Sequence, residues 1–216
     1  MKSLTKVTII SNLEVAPGAY VLSFPRSFEF VPGQVIGIAM NPADKPRLYS
    51  IASGNKENVV RILYTVKPEG KLTPDLARLH AGDTIYVSEP FGGFICDEQK
   101  AVWVATGTGI APFSSMFYSG LGKNKTLIQG NRFANGLYFR DDFEKEMGPR
   151  YVPSCTREQV AGVYHGRVLK YLSEKKDLDL SVKYYLCGSA EMVVDVRDLL
   201  IERGMPFENV VAEIFF

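Results

Sequence analysis

The feature that most constrains this 216-residue chain is a change of pattern near residue 97. Before it, short runs rich in β-branched and aromatic residues are separated by turn signals. Leu4–Leu13 is the first such run, and Ala16-Pro17-Gly18-Ala19 closes it. Tyr20–Phe24, Val35–Ala39, Arg47–Ala52, Val59–Val66 and Thr84–Val87 follow, with Val31-Pro32-Gly33-Gln34 as a further turn. Short strands broken by Gly, Pro and Asn predict an antiparallel barrel or sandwich. A single helix is predicted in this half, Leu72–Leu79, with Thr73 as N-cap and Pro74 at its first position.

After residue 97 the pattern alternates. Ala101–Ala105 is an apolar run of the kind that forms a buried strand. Thr126–Gly130, Tyr151–Cys155, Lys183–Cys187 and Asn209–Phe216 also read as strands. Ala111–Ser119, Tyr138–Glu146, Val168–Ser173 and Ala190–Arg203 read as helices. Strand–helix alternation implies a parallel sheet with crossover helices. The expected organisation is therefore two domains: an antiparallel barrel or sandwich over residues 1–96 and an α/β parallel-sheet domain over residues 97–216, with Gly92-Gly93 loosening the joint.

Composition narrows the function classes. Lys and Arg number 25 against 24 Asp and Glu, so the basic excess of a nucleic-acid binder is missing. Any electrostatic docking must then come from a local patch. The three cysteines, Cys96, Cys155 and Cys187, form no C-x-x-C pair and cannot build a four-cysteine cluster within the chain. No metal site is expected. The sequence has no apolar run long enough to cross a membrane and no apolar leader at its start. A reduced, cytoplasmic protein is expected.

Several short segments have the residue types for nucleotide chemistry. Thr106-Gly107-Thr108-Gly109-Ile110-Ala111-Pro112 joins a strand to a helix, where glycine admits a phosphate and the helix start offers free N–H groups. Pro112 stands where the dinucleotide fingerprint has its third glycine, and an ordinary tight turn is the alternative. Arg47-Leu48-Tyr49-Ser50 combines a cation, an aromatic face and a hydroxyl. Strand alternation puts Arg47 and Tyr49 on one face, Leu48 and Ser50 on the other. Gly70-Lys71-Leu72-Thr73 precedes the predicted helix as a second candidate anion site or a plain cap. Cys187-Gly188-Ser189 follows a strand where open α/β sheets bind ligands, and could equally be a buried tight turn. Arg132, Arg157 and Arg167 each follow a strand or its loop. Three converging guanidiniums suit a 2′-phosphate, and three solvated charges are the alternative. The terminal Phe215-Phe216 suits either core packing or stacking on a flat ring.

In this order the segments resemble the ferredoxin–NADP reductase family, and most of all its bacterial ferredoxin/flavodoxin–NADP reductases. Arg47-Leu48-Tyr49-Ser50, Gly70–Thr73, Gly107–Pro112, Thr156-Arg157-Glu158, Gly166-Arg167-Val168, Cys187-Gly188-Ser189 and Ala212-Glu213 carry the resemblance over nearly the whole chain. It implies FAD on an antiparallel β-barrel and NADP(H) on the α/β domain. For FAD, the resemblance implies Arg47 at the phosphate, Tyr49 on the isoalloxazine, Ser50 near N5, and Leu48 in the same segment. It further implies Tyr64, Thr65 and Val66 along the flavin, Gly70, Lys71, Leu72 and Thr73 around the pyrophosphate, Thr108 in contact, and Phe215 and Phe216 covering the flavin and adenine. For NADP it implies Gly107, Gly109, Asn131, Arg132, Thr156, Arg157, Arg167, Cys187 and Gly188.

The implied activity is hydride transfer from NADPH to flavin N5, with Ser50, Cys187 and Glu213 as the catalytic residues, then single-electron transfer to ferredoxin or flavodoxin. The chain departs from the family by ending in Phe where plant-type members have Tyr, and by Thr156 where Ser is common. A free-flavin reductase, an oxygenase reductase component and a non-catalytic electron-transfer subunit are the competing readings. The oligomeric state is left open, with a monomer expected.

Overall fold

The computed structural model describes residues 4–215. The chain divides into two compact units. One runs through Ile95 and takes in Ser114–Ser119; the other holds Cys96–Phe113 and the chain from Gly120 onward.

Among the described residues through Ile95, the first unit contains seven strands and one short helix: β1 (Thr5–Thr8), β2 (Ser11–Ala16), β3 (Ala19–Pro25), β4 (Val35–Ala39), β5 (Arg47–Ser50), β6 (Val59–Thr65), α1 (Thr73–Leu76) and β7 (Thr84–Val87). They form two antiparallel sheets, ordered β1-β7-β4-β5 and β2-β3-β6. The bridge Ile51↔Ile62 joins the end of β5 to β6, which brings the sheets toward closure as a barrel. The inward side chains of both sheets, among them Leu22, Phe24, Ile36, Ile38, Ile62 and Ile85, make one buried core.

The run Leu4–Leu13, read as one strand, is two. The Ile9 N–H bonds to the Asp83 carbonyl and the Ile10 N–H to the Ser23 carbonyl, so the chain leaves one sheet and enters the other between these residues. The helix predicted over Leu72–Leu79 is a single turn, and Thr73 is its first residue instead of its N-cap. The Asn12 amide explains the stop: it donates to the carbonyls of both Leu76 (2.8 Å) and Leu79 (3.0 Å), acceptors that a continuing helix would use.

The second unit holds β8 (Ala101–Thr106), β9 (Lys125–Asn131), β10 (Tyr151–Cys155), β11 (Tyr164–His165), β12 (Lys183–Ser189) and β13 (Val210–Phe215). These make a six-stranded, wholly parallel sheet ordered β11-β10-β9-β8-β12-β13. The chain grows outward one way from β8 and then returns to its other side, so the order reverses between β8 and β12. Such a reversal opens a crevice at the carboxyl ends of the strands. The helices are α2 (Ala111–Met116), α3 (Arg140–Met147), α4 (Val168–Glu174) and α5 (Ala190–Glu202). One face of the sheet packs Val104, Ile128 and Leu186 against Val168, Leu172, Val193, Val196 and Leu200 of α4 and α5. On the other, Trp103 stacks on Phe113 with ring centroids 5.5 Å apart.

Two helix boundaries and one strand differ from the sequence reading. Helix α2 gives way at Phe117 to a wide turn through Leu121, where Gly120 takes φ 84°. Helix α3 starts at Arg140 because Phe139 before it is left-handed, φ 61°. Strand β11 was not foreseen, since a two-residue strand carries no periodicity. All three cysteines are free and buried. Among the described residues no helix is long and apolar enough to cross a membrane.

Candidate functional site

In the second unit the candidate site is built where the strand order reverses. Strand β8 ends at Thr106, and the chain turns through one tight helical turn, Gly107–Ile110, into α2. Strand β12 pairs with β8 so that Cys187 lies beside Ala105. Gly109 packs on β12 so closely that an added Cβ would stand 2.3 Å from the Cys187 carbonyl oxygen. Gly188 presses on Thr106 in the same way: a Cβ there would meet Thr106 Oγ1 at 2.2 Å, and its φ of 150° suits glycine. Gly107 has a different reason, a φ of 56° with nothing within 4 Å of its absent Cβ. Thr108 in this turn is half-buried, and its carbonyl accepts the Ala111 N–H.

Cys187 faces Glu213 in the register of β12 with β13. Burial pushes the Cys187 thiol up, and the neighbouring Glu213 adds to the shift. Burial also raises the Glu213 carboxyl above its ordinary range. The pair therefore holds a neutral thiol, poor as a nucleophile, beside a carboxyl that retains its proton to higher pH. Glu213 Oε2 and Thr106 Oγ1 are buried without a hydrogen-bond partner among the described residues. Buried polar atoms left unpaired are rare and costly.

The three arginines stand beyond neighbouring strand ends. The Arg157 N–H donates to the Arg132 carbonyl (2.9 Å), tying the loop after β10 to the loop after β9. The Gly166 N–H donates to the Cys155 carbonyl (2.9 Å), which draws in the segment that carries Arg167. Arg132 and Arg157 are exposed, and their guanidiniums have no ion pair or hydrogen bond among the described residues. Arg167 is engaged: its Nη1 lies 2.6 Å from Glu191 Oε1. Asn131 is committed at both ends of its amide, accepting the Arg132 N–H (2.6 Å) and donating to the Gly136 carbonyl (2.7 Å). Its side chain shapes the loop that presents Arg132 and is not free to reach a ligand. Thr156 is half-buried at the head of the neighbouring loop. That loop is fastened by Glu158, whose carboxylate accepts the Ala134 N–H (2.7 Å) and whose carbonyl accepts the Cys155 thiol (3.1 Å).

In the first unit β5 carries Arg47, Leu48, Tyr49 and Ser50. Arg47 and Leu48 are exposed, Leu48 by 58 %, while Ser50 is 2 % exposed. Leu48 and Ser50, placed on one face by alternation, thus meet different surroundings, because Ser50 ends the strand where the bridge to β6 begins. Ser50 Oγ is buried without a partner among the described residues. Burial raises the Tyr49 hydroxyl to about 12, partly offset by Arg47. Tyr64 lies in the core. Its ring is stacked on Tyr20 (5.5 Å) and meets the edge of Tyr49 (6.3 Å), and its hydroxyl donates to Asn12 Oδ1 (3.0 Å). Tyr64 thus supports Tyr49 from beneath, with its polar atom already satisfied. Thr65 is exposed and Val66 half-buried. The Gly70-Lys71-Leu72-Thr73 loop closes on itself. Gly70 N–H donates to the Lys67 carbonyl (2.8 Å), and Thr73 Oγ1 accepts the Lys67 N–H (2.9 Å), which removes that hydroxyl from the set facing outward. Phe216 and the side chain of Phe215 lie outside the described residues.

The sequence names Thr106 only as the head of the glycine loop, with no role for its hydroxyl, and does not single out Glu191. Glu191 lies four residues after Cys187, and only the meeting of α4 and α5 at the sheet edge puts it against Arg167.

Comparison with known proteins follows this geometry. The oxidoreductase NAD-binding domain family matches residues 103–198, most of the second unit. The chain is 31 % identical to ferredoxin–NADP reductase A of Sorangium cellulosum over 85 % of its own length and 77 % of that protein's. It is 30 % identical to a probable dihydroorotate dehydrogenase B (NAD(+)) electron transfer subunit of Archaeoglobus fulgidus, over 92 % of this chain and 79 % of that one. Among solved structures, a ferredoxin NADP+ reductase from Neisseria gonorrhoeae with bound FAD and NADP superposes with a TM-score of 0.89 at 22 % identity, covering 100 % of both chains. The chain thus shares its overall fold with that structure, and it is an oxidoreductase of the ferredoxin–NADP reductase family.

Proposed function

We propose that this protein is an FAD-dependent NADPH reductase that delivers electrons singly to a small protein carrier, ferredoxin or flavodoxin. The observation that carries the reading is that three of the five buried side-chain oxygens without a partner among the described residues, Ser50 Oγ in the first unit and Thr106 Oγ1 and Glu213 Oε2 in the second, fall in the candidate segments; Asn55 Oδ1 and Ser115 Oγ lie elsewhere. A hydroxyl or carboxyl kept dry and unpaired is destabilising by itself, and a polar ligand removes that cost. These three fall on β5 and at the strand-order reversal, the segments that suit a flavin and a nicotinamide.

In this reading residues 1–96 hold FAD and residues 97–216 hold NADPH. Arg47 supplies charge to the FAD phosphates, Tyr49 a flat apolar face held from below by Tyr64, and Ser50 a hydroxyl for the ring edge. Thr65, Val66, Gly70, Lys71, Leu72 and Thr73 complete the FAD set of this unit, and Thr73 contributes backbone since its hydroxyl is engaged. In the second unit Gly107 and Gly109 shape the turn, Gly188 lets β12 approach Thr106, and Cys187 offers a small neutral thiol. Arg132, Arg157 and Arg167 supply charge for a 2′-phosphate, with Thr156 beside them. Burial raises the Glu213 carboxyl above its ordinary range, which favours its protonated form beside Cys187. The bound cofactors supply hydride acceptance and its division into single electrons; the chain supplies orientation and exclusion of water.

The relative from Archaeoglobus fulgidus supports a second reading, in which the acceptor is a partner subunit of a larger complex. Turnover separates the two. The FAD-loaded protein with NADPH should reduce ferredoxin or flavodoxin in a steady state. Reduction of the flavin without turnover on either carrier would favour the subunit reading.

A further inference from the structure

Resting on the reductase reading above, we propose that Glu191 is a specificity-determining residue that sets how strongly this protein discriminates NADPH from NADH. The three arginines beyond the carboxyl ends of the parallel strands are not equivalent. Arg132 and Arg157 are exposed and carry no ion pair among the described residues. Arg167 is held by Glu191 at 2.6 Å, and the two side chains are 67 % and 68 % exposed. The pair is thus open to exchange with a ligand and not locked in a core. It also spans a defined place: Arg167 immediately precedes α4 and Glu191 lies in the first turn of α5, so it links the starts of two helices at the ligand edge of the sheet.

A 2′-phosphate carries close to two negative charges, and a guanidinium binds it in preference to a single carboxylate. For Arg167 to take that phosphate it must release Glu191, and the released carboxylate then faces an anion of its own sign. A free 2′-hydroxyl raises no such conflict, and a carboxylate near the ribose can accept its hydrogen bond. Glu191 therefore opposes NADPH and favours NADH, against the pull of the three arginines. Exposed pairs are weak, so the effect is a modest factor that tunes the preference without reversing it.

The test uses the FAD-loaded protein and two probes, adenosine 2′,5′-bisphosphate and 5′-AMP, with binding followed by calorimetry. Glu191→Gln is expected to tighten the bisphosphate about three- to tenfold without tightening 5′-AMP. The ratio of kcat/KM for NADPH over NADH should rise by a similar factor, and the change should lie in KM. In an Arg167→Ala background the same substitution should have less than half that effect, because the two residues are coupled. Equal change for both probes, or none, would overturn the proposal; a purely structural role for Glu191 at the start of α5 would give that result with a shifted Tm. Absence of bisphosphate binding by the native protein would also overturn it. Flavin reduction by NADPH, measured separately, then tells whether the reductase reading fails too.

Discussion

Gly70–Thr73 and Gly107–Pro112 both bring glycine to the start of a helix, and the structure treats them differently. The first loop satisfies itself: Gly70 bonds back to Lys67, Thr73 Oγ1 takes the Lys67 N–H, and the helix lasts one turn. The second is shaped by its neighbours, with the backbone of β12 pressed on Gly109 and Gly188 pressed on Thr106. It leaves buried polar atoms unpaired where the first does not. Glycine near a helix start therefore signals two separate things, a loop that needs a turn and a strand-order reversal that needs close backbone approach.

The comparison breaks most readily at Gly109. A Cβ there would stand 2.3 Å from the Cys187 carbonyl oxygen and 2.5 Å from its carbon, so backbone must move. Gly109→Ala is expected to destabilise the protein by about 3 kcal/mol or more in urea unfolding. A loss below about 1 kcal/mol would show that the turn has room the structure denies. Gly107→Ala meets open space and has only its positive φ against it, so a loss of about 1 kcal/mol is expected. Equal costs at the two glycines would erase the distinction between packing and turn geometry. In the first loop, Thr73→Val removes the acceptor of the Lys67 N–H, and a loss of about 0.5–1 kcal/mol is expected in the same assay.

The smallest effect is gated by pH. Burial raises the Glu213 carboxyl above its ordinary 4.5, so the folded state disfavours the ionised form. A raised folded pKa gives stability that is present below the unfolded value and lost as pH rises through the folded one. Glu213→Gln removes that loss. It should raise Tm at neutral pH and bring the gain toward zero as the pH falls to about 4.5. A gain independent of pH would place the cause in packing and not in the charge.

Much of the fold was legible because its signals are local. Val35–Ala39, Thr84–Val87 and Tyr151–Cys155 carry their strand character in their own residues, and the structure starts and stops these strands there. The division of Leu4–Leu13 was not legible, since it depends on two carbonyls, of Asp83 and Ser23, far along the chain. The helix after Gly70 was overestimated for the same reason. Leu72, Leu76 and Leu79 have helical spacing, and Asn12, from the other end of the unit, takes the carbonyls that would extend it. At the candidate site the residue types were readable and their commitments were not. Nothing in the sequence distinguishes Asn131, tied at both ends of its amide, from a free asparagine, or Arg167, paired with Glu191, from the unpaired Arg157.

The most direct test of the account is an anaerobic titration of the FAD-loaded protein with NADPH, followed by the flavin absorbance. The purified protein is expected to retain FAD, and one equivalent of NADPH to bleach the oxidised flavin band. A protein that takes up no FAD, or holds FAD that neither NADPH nor NADH reduces, would contradict it.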